Sequence, residues 1–203
     1  WNSLSLPEEI GGQGLPSIIE VAISEMDASS CHSFKMYNAF CLPSSFMLDK
    51  LGAEWMREFV VPKLVNCEWA ATMAMTESHC GTDLKQLRTK AIEKEDGTYR
   101  LSGNKIFISG GGQDLSDNII HIVLAKIPEE DGSVPMKLSS VNVFLVSNRK
   151  IDIETGEIGE NNGVKVLSIE KKMGIGASAT CVLEFENSIA YRIAGSEKMG
   201  SAA

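Results

Sequence analysis

Histidine is scarce in this chain of 203 residues, which holds only His32, His79 and His121. The scarcity narrows the chemistry before any motif is read. A hydrolase built on a Ser or Cys nucleophile needs a His that is itself oriented by a carboxylate. His121 alternates with Ile119 and Val123 in an apolar run, which marks a core position. His79 and Cys80 are adjacent, so their side chains need not meet, and a catalytic dyad is not expected. The five cysteines (Cys31, Cys41, Cys67, Cys80, Cys181) are odd in number, with no C-x-x-C pair and no His–Cys spacing of the zinc type. They read as reduced thiols in the cytoplasm or an organelle matrix; cytoplasmic is the expectation, with no metal. Apolar stretches such as Ile119–Ala125 fall well short of the roughly 20 residues that span a bilayer. No signal peptide is visible, although a chain starting at Trp1 leaves an upstream segment open.

Basic residues are also in deficit. Against 27 Asp and Glu stand 19 Lys and Arg, a net charge of -8, which opposes attraction to a phosphate backbone and disfavours nucleic acid as a partner. The runs Glu93–Asp96 and Glu129–Asp131 read as solvated hairpin tips. The balance of 43% hydrophobic and 23% charged residues is that of a folded soluble protein with no low-complexity tract.

What is present divides into two parts. Residues from about 17 to 67 carry helical signals: Ser17 can cap a helix with Glu20 reaching back as a capping box, and Ile19, Ile23 and Met26 share a face. A second helical run from Ala53 to Phe59 is limited by Pro62. From Trp69 onward the pattern is short apolar segments separated by turn residues, which predicts strands. Glu95–Thr98 and Ser102–Asn104 read as turns in a meander over residues 87 to 109, with further strands at 119 to 125, 141 to 146, 164 to 168 and 180 to 186. Helices first and strands after predict an α+β chain with a small barrel or sandwich. No internal repeat is found.

Two glycine motifs fall short of a dinucleotide fingerprint, which needs a strand before it and a helix after it. Gly174–Ala179 fits G-x-G-x-x-A but runs into a strand, and Gly12–Ser17 precedes a helix without a leading strand. Both read as turns.

Two other segments point to one ligand. Met73–Asp83 runs apolar residues into a short polar loop, and Lys105–Gly112 sets an aromatic ring two residues before a hydroxyl. A flavin ring needs a flat partner, hydrogen bonds at its pyrimidine edge and a donor near N5, the hydride acceptor. Phe107, Thr76 and Ser109 supply those three types. An aromatic followed by Ile and Ser on a strand is also an ordinary core pattern, and the residues alone leave both readings open.

Thr76–Asp83, of the type T-E-x-x-x-G-(S/T)-D, and Phe107–Gly111, of the type (W/F)-I-(T/S)-x-G, resemble the acyl-CoA dehydrogenase family. Gly11–Pro16 is similar to that family's G-G-x-G-L turn and Lys172–Ile175 to its K-(M/L)-G turn, so the resemblance runs along essentially the whole chain. Residues 109–121 and 168–174 look most like the branch containing 3-methylmercaptopropionyl-CoA dehydrogenases.

The resemblance implies a partial N-terminal helical domain over residues 1–67 and a middle antiparallel β-barrel domain over 68–203, with the C-terminal helical bundle absent. It implies FAD as cofactor, with Met73, Met75 and Thr76 contacting it, Phe107 stacked on it, and Ile108 and Ser109 along its N5 edge. Gly81 and Thr82 would lie near the CoA portion of an acyl-CoA substrate. The family removes an α-proton with a Glu of the C-terminal bundle while a hydride passes to flavin N5. No residue here inherits that catalytic role, Glu77 reads as structural, and these residues alone are expected to turn over little. An electron-transfer flavoprotein as acceptor and a homodimer or homotetramer are implied as partners. A non-catalytic scaffold or stress-response relative is the alternative. Ser78 stands where the family usually has Pro and Cys80 where it has Ala, which predicts an altered loop rigidity. Gly176 replaces a common basic residue. The abrupt ends at Trp1 and Gly200–Ala203 read as those of a fragment.

Overall fold

The computed structural model describes residues 3–194. Trp1 and Gly200–Ala203, on which the expectation of a fragment rests, lie outside the described residues. Three helices, α1 (Ser17–Asn38), α2 (Cys41–Leu51) and α3 (Val61–Val65), precede every strand. The strands are β1 (Trp69–Ala74), β2 (Lys90–Glu93), β3 (Tyr99–Ser109), β4 (Asn118–Lys126), β5 (Val141–Ser147), β6 (Arg149–Ile151), β7 (Ile158–Asn161), β8 (Val164–Ile169) and β9 (Thr180–Ala194). The α+β expectation therefore holds.

The helical starts and stops differ from the sequence reading. α1 begins at Ser17, but Pro16 occupies the cap position and no side chain caps the helix. Glu20 instead accepts a hydrogen bond from the Ser5 hydroxyl, so a tertiary contact replaces the capping box. α1 buries none of its residues; Ile19 and Met26 are exposed, and the helix breaks at Cys31. Pro62 ends nothing. A π-helical turn, Met56–Val60, passes directly into α3, where Pro62 lies in the first turn. The helical backbone runs on through it from the π turn, whose closing bond is donated by the Val61 amide to the Met56 carbonyl.

The main sheet closes on itself. β4, β5, β9, β3 and β2 pair in a ring completed by Lys90 against Lys126, with β8 added to β9. Its pairs are antiparallel except two at β4, which takes β1 in parallel from Trp69 opposite Asn118 to Ala74 opposite Val123 and meets β2 in parallel at the closing Lys90–Lys126 pair. The antiparallel barrel of the sequence reading is thus a mixed one at that edge. The β6–β7 hairpin lies outside the main sheet and was not predicted.

All nine residues of β4 are buried because both faces are covered. Ile120, Ile122 and Leu124 join Leu48, Met56, Val60 and Leu64 of the helical part in one core. Val123 and Ala125 join Leu101, Phe144, Leu183 and Phe185 in the barrel interior. Burial on both faces gives a continuous apolar run in place of alternation.

Ser102–Asn104 is not a turn. β3 runs through it as a single strand of 11 residues with a register shift between Leu101 and Gly103. A Cβ on Gly103 would lie 2.5 Å from the Thr89 hydroxyl oxygen. Glycine here marks a close approach of two strands, which a sequence reading takes for a turn.

Candidate functional site

The two segments singled out in the sequence are brought together. The Ile106 amide donates to the Thr76 carbonyl at 2.9 Å, and the Lys105 ammonium donates to the Met75 carbonyl at 2.9 Å. The end of β1 and the end of β3 are therefore stitched side by side.

Phe107 owes its position to a bulge. Along β3, Leu101 and Lys105 point inward, and strict alternation would send Phe107 inward as well. A second register shift, between Lys105 and Ile108, inserts a residue, and Phe107 takes φ 61. Its ring emerges 59% exposed, while the Ile108 side chain fills the barrel at 2%. Bulges re-aim side chains in this way. A left-handed conformation on a bulky residue costs about 1–3 kcal/mol, which persists only where the surroundings impose it.

Ser109 follows this ring in the chain and Thr76 is brought beside it by the Ile106 bond, and among the described residues neither hydroxyl is engaged by another protein group. Both are half-buried, as are Met73 and Met75, which pack against the core shared with the helices. A Cβ on Gly81 would touch the Thr76 methyl at 3.4 Å, so the polar loop folds back over Thr76, leaving Thr82 exposed. An outward aromatic plane, two free hydroxyls and an apolar flank fit the flat, one-edge-polar ring of a flavin. Ile108 can offer a ligand only its backbone.

Glu77 anchors the loop. Its carboxylate accepts from the Arg88 amide at 2.8 Å, the Thr89 amide at 3.0 Å, the Thr89 hydroxyl at 2.6 Å and the Lys105 ammonium at 2.9 Å. Burial pushes this carboxyl upward, but the Lys105 charge and these hydrogen bonds hold it below the usual carboxylate range. Burial also lowers Lys105, opposed by Glu77. The ammonium persists there because the carboxylate is beside it. Glu77 and Cys80 further exchange backbone hydrogen bonds of 2.9 and 3.1 Å, closing the loop. These contacts fasten the loop whose rigidity the missing proline is expected to alter.

Glu77, His79 and Cys80 set an O, an N and an S within 4.8 Å of one another. His79 Nε2 donates to the Gln86 carbonyl at 3.0 Å, and burial, with the Glu77 charge, raises the Cys80 thiol. With four donors already on Glu77, the Lys105 ammonium among them, the carboxylate of this trio is taken up in holding the loop. His121 is a core residue as expected: its Nδ1 pairs with the Thr72 hydroxyl at 2.7 Å, Nε2 has no partner, and its ring stands edge-on to Phe185.

Two residues were missed by the sequence reading. Tyr37 Oη donates to the Ala177 carbonyl at 2.9 Å and accepts from the Ala179 amide at 3.0 Å, tying α1 to the loop before β9. The Gly110 amide donates to the Ala179 carbonyl at 2.7 Å, which brings that loop to the Phe107 bulge. Lys105 carried no local signal beyond its place in the second segment. Gly174–Ala179 is followed by β9 and not by a helix, so the dinucleotide fingerprint stays excluded.

The family model described as acyl-CoA dehydrogenase, middle domain, matches residues 72–188. The chain is 36% identical over 200 residues to the 3-methylmercaptopropionyl-CoA dehydrogenase of Ruegeria pomeroyi, covering 98% of this chain and 33% of that protein. It is 37% identical over 186 residues to the broad-specificity linear acyl-CoA dehydrogenase FadE5 of Mycobacterium tuberculosis, covering 91% of this chain and 30% of that one. The chain thus spans about a third of the length of these relatives. The solved acyl-CoA dehydrogenase complexed with FAD from Bacillus anthracis superposes with a TM-score of 0.74 at 26% identity, over 99% of this chain and 31% of that one. With more than half of its residues inside the middle-domain match, the chain belongs to the acyl-CoA dehydrogenase family.

Proposed function

We propose that this chain forms the flavin-holding part of an FAD-dependent acyl-CoA dehydrogenase that introduces an α,β double bond into an acyl-CoA thioester. Residues 1–67 serve as the N-terminal helical domain and 68–203 as the middle barrel domain. Bound FAD supplies the oxidant that accepts the substrate's β-hydride. Phe107 offers its ring to the flavin face, with Met73 and Met75 as the apolar flank. The Thr76 hydroxyl serves the polar pyrimidine edge, and Ser109 with the Ile108 backbone serves the N5 side. Gly81 and Thr82 lie beside the CoA portion of the thioester.

The observation that carries this reading is the strained bulge that turns Phe107 outward beside the Thr76 strand end. Preorganised groups act without reorganising when charge develops, and backbone strain at a ligand face is one sign of such preorganisation. None of the described carboxylates is assigned as the α-proton base. Glu77, the candidate nearest the site, is consumed by three hydrogen bonds and the Lys105 ion pair. Residues 1–203 alone therefore turn over little or no substrate. The electron acceptor is an electron-transfer flavoprotein, and the working enzyme is a homodimer or homotetramer located in the cytoplasm. Among the described residues no helix is long and apolar enough to cross a membrane.

The test is anaerobic titration of the full-length flavin-loaded protein with acyl-CoAs of varied length, including a methylthio-substituted one. Bleaching of the flavin absorbance is expected with at least one thioester. Retained flavin that no thioester bleaches would return the assignment to a non-catalytic scaffold.

A further inference from the structure

The flavin reading makes no use of Tyr37, which touches both partners of one hydrogen bond behind the Phe107 bulge. That bond runs from the Gly110 amide to the Ala179 carbonyl at 2.7 Å. Gly110 is buried, takes a left-handed φ of 66 and follows directly on Ser109. A Cβ on Gly110 would stand 3.4 Å from the Tyr37 ring, so the ring lies against this glycine. On the other partner, the Ala179 amide donates to Tyr37 Oη at 3.0 Å, and Oη donates to the Ala177 carbonyl at 2.9 Å. One half-buried side chain of α1 thus holds the turn after the bulge and the loop to which that turn is bonded.

We propose that Tyr37 is a positioning residue for the flavin face. Acting through Ala179 and Gly110, it keeps the Phe107 ring in its outward setting and the Ser109 hydroxyl beside it. This role rests on the flavin reading and brings α1 into the cofactor site.

Phe107, at φ 61, is held in a conformation that persists only where its surroundings impose it. On its N-terminal side the bulge is fixed by the bonds of Lys105 to Met75 and of Ile106 to Thr76. On its C-terminal side Ile108 pairs with Cys181 and Ser109 with Thr180, the first residue of β9. A strand end frays unless the chain beyond it is tied down. The Gly110–Ala179 bond lies just beyond that end, in a loop whose residues 173–177 are exposed, so packing contributes little there. Lys172 holds the same loop, donating to the Ser178 carbonyl at 2.6 Å and the Thr180 hydroxyl at 2.9 Å, but it bonds neither Ala179 nor Gly110. Loss of the tyrosine hydroxyl therefore leaves the loop attached and frees the far end of the bulge.

Tyr37→Phe keeps the ring against Gly110 and removes both hydroxyl bonds. In full-length protein stripped of flavin, the peptides carrying Gly110 and Ala179 should exchange their amides roughly tenfold faster in the variant, about the factor of one net hydrogen bond. The melting temperature should stay near that of the wild type. Reloaded with FAD, the variant should hold it roughly tenfold more weakly, because ordering the bulge then falls on binding. The shape of the flavin's visible absorption band should change as well, which a loss of overall stability does not produce. Equal amide exchange in the two proteins overturns the proposal, and so does equal flavin affinity. In the stripped wild type both amides must already be protected. If they exchange as freely as residues 173–177, Tyr37 holds nothing in place, whether or not the variant folds. A wild-type protein that never holds FAD overturns the flavin reading itself, and the role of Tyr37 with it.

Discussion

Lys105 places an ammonium at 0% exposure against a carboxylate at 5%. Removing one partner of such a pair strands the other, whereas replacing both is far milder. Lys105→Met is expected to destabilise the protein by about 3–5 kcal/mol. The double change with Glu77→Gln should restore most of that loss, read from denaturant midpoints of the single and double variants. Phe107 tests the opposite trade. Asn tolerates the left-handed conformation that Phe107 is forced into, and the ring is mostly exposed. Phe107→Asn should gain roughly 0.5–1 kcal/mol of stability in flavin-free protein while weakening flavin retention in the full-length enzyme. A variant that loses stability, or holds flavin as well as the wild type, contradicts the bulge's proposed purpose. His121 gives a pH signature. Burial lowers it from 6.5 to about 3, so between those values the unfolded chain binds the proton that the folded one refuses. Its stabilising contribution is complete above pH 6.5 and is lost as pH falls toward 3, at up to about 1.4 kcal/mol per pH unit. His121→Gln, whose amide can still meet Thr72, should flatten the urea midpoint against pH in that window. Parallel slopes would refute it. Of these residues, the F-I-S spacing made Phe107 legible as a candidate, and His121 showed itself as core by alternation. Lys105 was not legible, because a charge between turn residues and an apolar run reads as a surface position until Glu77 is placed beside it.

At the level of elements, the sequence reading erred where tertiary approach used residues that elsewhere make turns or stops. Ser102–Asn104 has the composition of a hairpin tip. Only the nearness of Thr89 shows why Gly103 belongs inside a strand. Gly103→Ala would put a methyl 2.5 Å from the Thr89 hydroxyl oxygen at a backbone φ of 154. The strands must separate or β3 must slip. The expected cost is about 2–4 kcal/mol, with faster exchange of the β2 and β3 amides by hydrogen–deuterium mass spectrometry. Protection unchanged from the wild type would show that the close contact is not what Gly103 provides. Pro62 and the Ser17 cap failed for a related reason. Local rules gave the correct residue types near the helix boundaries, but the partners that set those boundaries, Ser5 for Glu20 and a π turn before Pro62, are distant or irregular. The long strands β4, β5 and β9 were legible because burial wrote them as apolar or alternating runs.

Across the molecule, the division at residue 67 separates helices from strands but not one core from another. Ile120, Ile122, Leu124, Val141, Val143 and Leu145 of β4 and β5 share a buried cluster with Leu48, Met56, Val60 and Leu64. The barrel's outer face is thus completed by the helical part. Fully exposing six such side chains, at about 1.5–3 kcal/mol each, forfeits on the order of 10 kcal/mol, comparable with the whole stability of a domain, about 5–15 kcal/mol. The composition change at Trp69 marks a change of secondary structure, which sequence periodicity detects. It does not mark a folding boundary, because periodicity cannot show which element covers a sheet's second face. Residues 68–203 made alone should therefore be insoluble or bind a hydrophobic dye strongly, whereas residues 1–203 melt in one cooperative transition that α2 and β4 amides report together. A soluble 68–203 protein with its own sharp melt would mean that the helices only rest on a barrel already stable without them.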